Sequence, residues 1–140
     1  MSRERPGGVT ALSLFFGAGA GISFTSCLSL LLPGSLLEPM WRLNPRARNA
    51  FAGMGAWAVV LLSTVCLACA LCAVGLWRGK PWGRRLAIGL LGVNLVADIA
   101  NVIAGTQPRA AFGVPIAGAM LGYLWKSGRL RNFFRRGAGV

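Results

Sequence analysis

The apolar residues fall into four uninterrupted blocks, Val9–Leu32, Ala50–Trp77, Leu86–Ala104 and Ala110–Trp125, and nearly all the charges lie between them. A helix needs about 20 apolar residues to cross a ~30 Å hydrocarbon core. The first block is too long for the apolar segment of a secretory signal, although Arg3 and Arg5 precede it. The second is longer than a perpendicular span requires, which predicts tilt. The fourth is the shortest and contains Pro115, a residue that caps a short helix or kinks a longer one. The blocks do not alternate, and they exceed the roughly 9–11 residues of a barrel strand. The predicted fold is all-α, a four-transmembrane-helix bundle with short loops and a basic C-terminal tail. It forms a single integral membrane domain over residues 1–140, with approximate spans 9–32, 50–77, 86–104 and 110–125.

The connections carry their own signals. Ser35-Leu36-Leu37-Glu38 reads as a capping box, in which serine and glutamate side chains satisfy each other's free amides. Asn44-Pro45 reads as an N-cap followed by proline in the first helical position. Arg78-Gly79-Lys80-Pro81 ends the second block with a glycine suited to a left-handed cap and a proline that cannot continue the helix. The tail 126–140 mixes Arg129, Arg131, Arg135 and Arg136 with Leu130, Phe133 and Phe134, as a surface-lying basic segment does.

Composition narrows the class. Of 140 residues, 55% are hydrophobic and 13% charged, with a mean hydropathy of +0.61. Soluble domains carry about 25% charged residues to cover their surface, and disordered chains are poor in apolar ones. Lys and Arg number 15 against 3 acids, giving a net charge of +12. The basic residues sit between apolar blocks rather than in a basic domain. They therefore imply membrane sidedness and anionic lipid headgroups, not nucleic acid.

Four spans would put both termini and the connection around Lys80 on one side. That side holds Arg3, Arg5, Arg78, Lys80, Arg84, Arg85, Lys126, Arg129, Arg131, Arg135 and Arg136; the other holds Arg42, Arg46, Arg48 and Arg109. The richer side is expected to be cytoplasmic. Trp77, Trp82, Tyr123 and Trp125 cluster at that boundary and Trp41 at the other, as an aromatic belt does.

Catalytic chemistry lacks its parts. There is no His, and the only acids are Glu4, Glu38 and Asp98. Ser–His–Asp and Cys–His chemistry, His-based zinc sites and carboxylate-rich metal pairs are therefore not expected, and no cofactor or metal is. One polar group stands out. Asn94, Asp98 and Asn101 follow the spacing i, i+4, i+7 and share one helix stripe. A charge at a helix centre costs about 2.5–3.5 kcal/mol on insertion scales, so the stripe should face protein or a wet cavity. It is either an interhelical hydrogen-bonding contact or an ion, proton or substrate site. Asp98 lies about 18 Å along its helix from Leu86 at 1.5 Å per residue. Thr25, Ser26, Ser63 and Thr64 come to similar depth on the first two helices and are its expected partners.

Cys66, Cys69 and Cys72 form two overlapping C-x-x-C patterns, but inside an apolar helix and spread over a wide arc; with Cys27 displaced in depth, they read as small core residues. Heavy-metal or quinone-linked thiol chemistry is the alternative. The pairs Gly17/Gly21 and Gly118/Gly122, with Gly89 and Gly92, offer close helix approach within the chain or between copies.

The segment Gly75-Leu76-Trp77-Arg78-Gly79-Lys80-Pro81-Trp82-Gly83-Arg84 resembles the helix–turn–helix of small uncharacterised bacterial four-helix integral membrane proteins, with the pattern G-L-W-x-x-x-P-W-G-R. Asp98-Ile-Ala-Asn101 and Gly113-Val-Pro115-Ile-Ala-Gly118 are similar to the second half of that group. The resemblance implies fold and a bacterial inner (cytoplasmic) membrane location, with no reaction attached. Small multidrug-resistance transporters also have four short helices, but they carry an acid in the first helix, which is absent here. The expected role is a structural or interaction component of the membrane, not an enzyme, with lipid and a further copy or another membrane protein as partners. The alternative is a small transporter or proton-coupled permease using Asp98.

Overall fold

The computed structural model describes residues 6–105 and 110–136. The arm with Arg3, Glu4 and Arg5, the connection with Arg109, and residues 137–140 lie outside the described residues, as do the side chains of Arg129, Arg131 and Arg136. The described residues form helices and no strand: α1 (Gly7–Leu31), a 3-10 helix (Glu38–Leu43), α2 (Pro45–Met54), α3 (Ala56–Trp77), α4 (Pro81–Ile103), α5 (Ala110–Lys126) and α6 (Gly128–Arg136). The all-α class stands. Three helices, α1, α3 and α4, of 25, 22 and 23 residues, are long and apolar enough to cross a membrane. α5 has 17 residues and contains Pro115.

The expected span 50–77 is divided. Gly55 adopts a φ of 56° and separates α2 from α3. A positive φ leaves the right-handed helix, and glycine enters it without a Cβ penalty. The ladder closes there with tighter bonds, from the Gly55 N–H to the Ala52 carbonyl at 3.3 Å and from the Ala58 N–H to the Gly55 carbonyl at 3.1 Å. The apolar helix is therefore Ala56–Trp77, and the extra length that predicted tilt belongs to the more polar α2. The next helix begins earlier than 86, because Pro81 occupies its first turn.

The caps divide in the same way. Asn44 caps α2 as its sequence predicts, its Oδ1 accepting from the Ala47 N–H at 3.2 Å. The Ser35–Glu38 capping box does not form. Gly34 turns the chain at a φ of 81°, and Glu38 accepts from the Gly34 N–H at 3.1 Å instead. The Ser35 N–H bonds to the Leu32 carbonyl at 3.2 Å. After α3, Gly79 takes a φ of 64°. The Lys80 N–H reaches the Gly75 carbonyl at 2.9 Å and the Gly79 N–H reaches the Leu76 carbonyl at 3.0 Å, which is a Schellman cap.

The chain forms two compact units, Phe15–Ala70 and Met1–Leu14 with Leu71–Val140. In the first, the 3-10 helix folds back on α1: the Trp41 indole N–H donates to Ser29 Oγ at 2.8 Å. Its ring meets Phe51 edge-on at 6.0 Å, and an Arg48–Glu38 ion pair ties α2 to the 3-10 helix. Trp41 is only 7% exposed, so it is a core residue and not part of an interfacial belt. α1 and α3 meet through small groups: the Cys66 thiol lies 3.4 Å from the Ala20 carbonyl, and Cys27 Sγ lies 3.6 Å from Ser63 Oγ.

In the second unit, the end of α3 crosses the start of α4 backbone to backbone. A Cβ on Gly75 would lie 2.6 Å from the Gly83 Cα, and one on Gly83 would collide with the Gly75 backbone. The Tyr123 ring of α5 lies directly on the Gly8 backbone of α1. Arg84 donates from Nε and Nη2 to the Leu124 carbonyl of α5 at 3.1 and 2.8 Å. α6 packs on α4, burying Leu130 and Phe134 while Arg135 stays exposed. The tail expected to lie on the surface is thus a helix whose apolar face rests on protein.

Gly83→Ala should destabilise the protein by about 1–3 kcal/mol, because the added methyl meets backbone that cannot rotate away. Gly89→Ala, at a position where a Cβ meets nothing, should be neutral or stabilising by up to about 1 kcal/mol through helix propensity. Thermal denaturation in detergent distinguishes the two; equal responses would show that the crossing is not tight.

Candidate functional site

α4 carries the polar stripe. Asn94 is exposed, and Asp98 and Asn101 are half-buried. The Asn94 side-chain amide donates to Asp98 Oδ2 at 3.1 Å, one helical turn away. Across from it stands α5. A Cβ on Gly113 would lie 2.5 Å from Asp98 Oδ2 and 3.3 Å from its Cγ. The carboxyl group therefore rests on bare α5 backbone, in space that any other residue at 113 would fill. An acid within an apolar helix needs such partners, since hydrocarbon supplies none.

The placement of this contact follows from the register of the two helices. Arg84, in the first turn of α4, chelates the carbonyl of Leu124 near the end of α5. Asp98, about four turns further along α4, meets Gly113 near the start of α5. Both positions advance along α4 as they retreat along α5, so the pair is antiparallel along most of its length. The carbonyl that Arg84 satisfies is one of the last four of α5, which have no partner within the helix.

The hydroxyls expected beside Asp98 lie in the other compact unit, Phe15–Ala70. Thr25 Oγ1 bonds to the Gly21 carbonyl and Thr64 Oγ1 to the Val60 carbonyl, each at 2.8 Å. Ser63 pairs with Cys27, and Ser26 is buried. Helical threonines reach back to the carbonyl four residues earlier without help from another element, and that local bond competes with any distant acceptor. The cysteines are free thiols. Cys66 bonds to a backbone carbonyl of α1, and Cys69 Sγ would lie 3.5 Å from a Cβ on Gly19. No group of three His, Cys, Asp or Glu side chains among the described residues could hold a metal ion.

The glycines that act are not the ones in the small-residue pairs. A Cβ at Gly17, Gly21, Gly89, Gly92, Gly118 or Gly122 would meet nothing within 4 Å. The close approaches are at Gly8, Gly75, Gly83 and Gly113. Gly113 carries no local signal, because its partner Asp98 comes from another helix. The Gly75/Gly83 pair brackets the Arg78–Pro81 turn almost symmetrically, which is a readable cue. Trp77, Trp82, Tyr123 and Trp125 are exposed, as belt residues are, while Trp57, at 74% exposure, is an aromatic surface that the charge pattern does not point to.

A double-mutant cycle on Asn94→Ala and Asp98→Ala should give a coupling of about 0.6 kcal/mol, the average for polar pairs within membrane helices. Gly113→Ala should displace the carboxyl group and weaken that coupling, whereas Gly118→Ala should leave it intact. Additive effects of the two alanine substitutions would show that the contact carries no energy. No protein-family model matches the chain, and no curated protein or solved structure is similar to it.

Proposed function

We propose that the chain is a four-span inner-membrane protein with both termini in the cytoplasm, acting as a structural or interaction component of the membrane without enzymatic activity. The observation that carries this reading is the Asp98 carboxyl group packed on the Gly113 backbone and bonded by Asn94. Such an acid serves as a polar helix–helix contact, holding α4 to α5.

The fourth span is α5. Its 17 residues reach about 26 Å, at the short end of the lengths that cross a bilayer. The antiparallel register with α4, fixed by Arg84 at Leu124 and Asp98 at Gly113, supports a return crossing. Sidedness is supported by the grouping of ends within the second unit. Gly8 meets Tyr123, Gly75 meets Gly83, and Arg84 meets Leu124. The start of α1, the end of α3, the start of α4 and the end of α5 therefore lie together, beside Arg78, Lys80, Arg84, Arg85 and Lys126. That basic end is the cytoplasmic one, in contact with anionic headgroups. The open faces at Gly17/Gly21 and Gly118/Gly122 would suit a second copy or another membrane helix. The likeness of the Gly75–Arg84 turn to small bacterial four-helix membrane proteins is in keeping with this reading.

A second reading rests on Asn94 being exposed and Asp98 only half-buried. In it the stripe serves a small transporter or proton-coupled permease, with Asp98 as the titrating group.

Two measurements separate these. A reporter active only in the cytoplasm should give signal when fused to the C-terminus or inserted near Lys80, and none within Pro33–Asn49; the reverse pattern would overturn the orientation. Proteoliposomes containing the protein should hold a pH gradient as long as empty ones. Faster dissipation that is lost in Asp98→Asn would establish the permease reading in its place.

A further inference from the structure

We propose that the depression formed by the 3-10 helix and the start of α2 is a binding site for a phosphate oxyanion, presented by the headgroup of a membrane phospholipid. The depression has a volume of about 530 Å³ and is lined by Ser35, Glu38, Trp41, Arg42, Arg48 and Asn49, with two prolines. Its walls are tied to one another. Trp41 is pinned by its bond to Ser29, Glu38 accepts from the Gly34 N–H, and Arg48 is tied to Glu38.

The chemistry of the lining selects the ligand. Glu38 is engaged by Arg48 and Gly34, so its charge is answered within the protein. Arg42 is exposed and in none of the ion pairs among the described residues, which leaves the depression net positive. A guanidinium presents parallel N–H donors that match the oxygens of a phosphate. Ser35 Oγ is the one buried side-chain polar atom among the described residues without a hydrogen-bond partner. Its hydroxyl is closed off from the depression, so Arg42 is the group left to meet a ligand.

The source of the phosphate follows from what surrounds the depression. It lies just beyond Leu31, where the apolar helix α1 ends. Leu36, beside Ser35, is 99% exposed, and Leu43, beside Arg42, is 79% exposed; Leu31 and Leu32 are exposed too. Apolar side chains alternating with arginines in this way fit the boundary between acyl chains and headgroups. A ligand there has a phosphate for Arg42 and hydrocarbon for the leucines. The site is independent of the sidedness and of the role proposed above, since it needs only that the end of α1 meet a bilayer surface.

The test uses the full chain in detergent and native mass spectrometry, with three probes. Dioleoyl phosphatidylglycerol carries phosphate and acyl chains, dioleoylglycerol carries the chains alone, and glycerol 3-phosphate carries the phosphate alone. Phosphatidylglycerol should be retained and dioleoylglycerol should not. Arg42→Gln should weaken retention about tenfold, the effect of one hydrogen bond to a charged group. Ser35→Ala removes a hydroxyl that a ligand does not reach, so it should leave retention unchanged and the melting temperature equal or higher. Arg46→Gln, on α2, removes the same charge from an exposed side chain that does not line the depression and should change nothing. Arg42 is exposed, so its variant should melt like the parent. Retention at the parent's level in the Arg42 variant, or equal retention of dioleoylglycerol, overturns the site. Glycerol 3-phosphate bound as tightly as the lipid would overturn the membrane source.

Discussion

A helix leaves its last four carbonyls without partners of its own. The second unit meets this constraint with one side chain. The Arg84 guanidinium gives two N–H donors to the Leu124 carbonyl of α5, and it can do so only because the first turn of α4 lies against the last turns of α5. That level is set in turn by the crossing of α3 and α4 at Gly75 and Gly83, where neither helix has a side chain to keep the other away. The cationic head, the helix end and the bare backbone contact form one arrangement. Relaxing any part of it would break hydrogen bonds made by a charged group, each about 1.5–3 kcal/mol.

Asp98 repeats this arrangement further along the same two helices. A carboxyl group needs donors and room, and an apolar helix pair offers little of either. Asn94 supplies a donor from the same face of α4, and Gly113 supplies the room on α5. The two anchor points have opposite chemistry, a cation on a carbonyl and an acid beside bare backbone. Together they fix rotation as well as height, because one contact alone would let α5 slide or turn. Asp98 and Arg84 thus hold the register of α4 and α5, while the threonines of α1 and α3 bond within their own helices.

How much of this was legible depended on whether a signal was local. Hydropathy gave the apolar helices, and Asn44-Pro45 and Gly79 marked their caps, because each of those effects acts within a few residues. The i, i+4 spacing of Asn94 and Asp98 was readable for the same reason. The division at Gly55 was missed because the apolar block runs across it; glycine alone does not say whether it will leave the helix. The capping box at Ser35 failed for a related reason. The motif was present, but Pro33-Gly34 turns the chain so that the Gly34 amide, and not that of Ser35, meets Glu38. Gly113 and the Trp41–Ser29 bond were invisible, since their partners lie on other elements. Small-residue pairs pointed to Gly17/Gly21 and Gly118/Gly122, yet a four-residue spacing only makes close approach available; which glycines are used depends on where helices cross.

The connections on either side of α3 show two uses of irregular backbone. Between α3 and α4 the chain reverses over Arg78-Gly79-Lys80, with its carbonyls answered at once by the Schellman bonds. The turn serves packing, bringing Gly75 against Gly83. Between α1 and α3 the chain takes a glycine turn, a 3-10 helix, a separate α2 and a second glycine break. A shorter link would suffice to join two helices, and this one spends a tryptophan, an ion pair and an asparagine cap to hold its shape. It also leaves a hydroxyl unanswered and Arg42 exposed beside bare leucines. An arginine held outside the ion pair at an apolar edge is what recognition of an amphiphile requires, and joining two helices does not call for it.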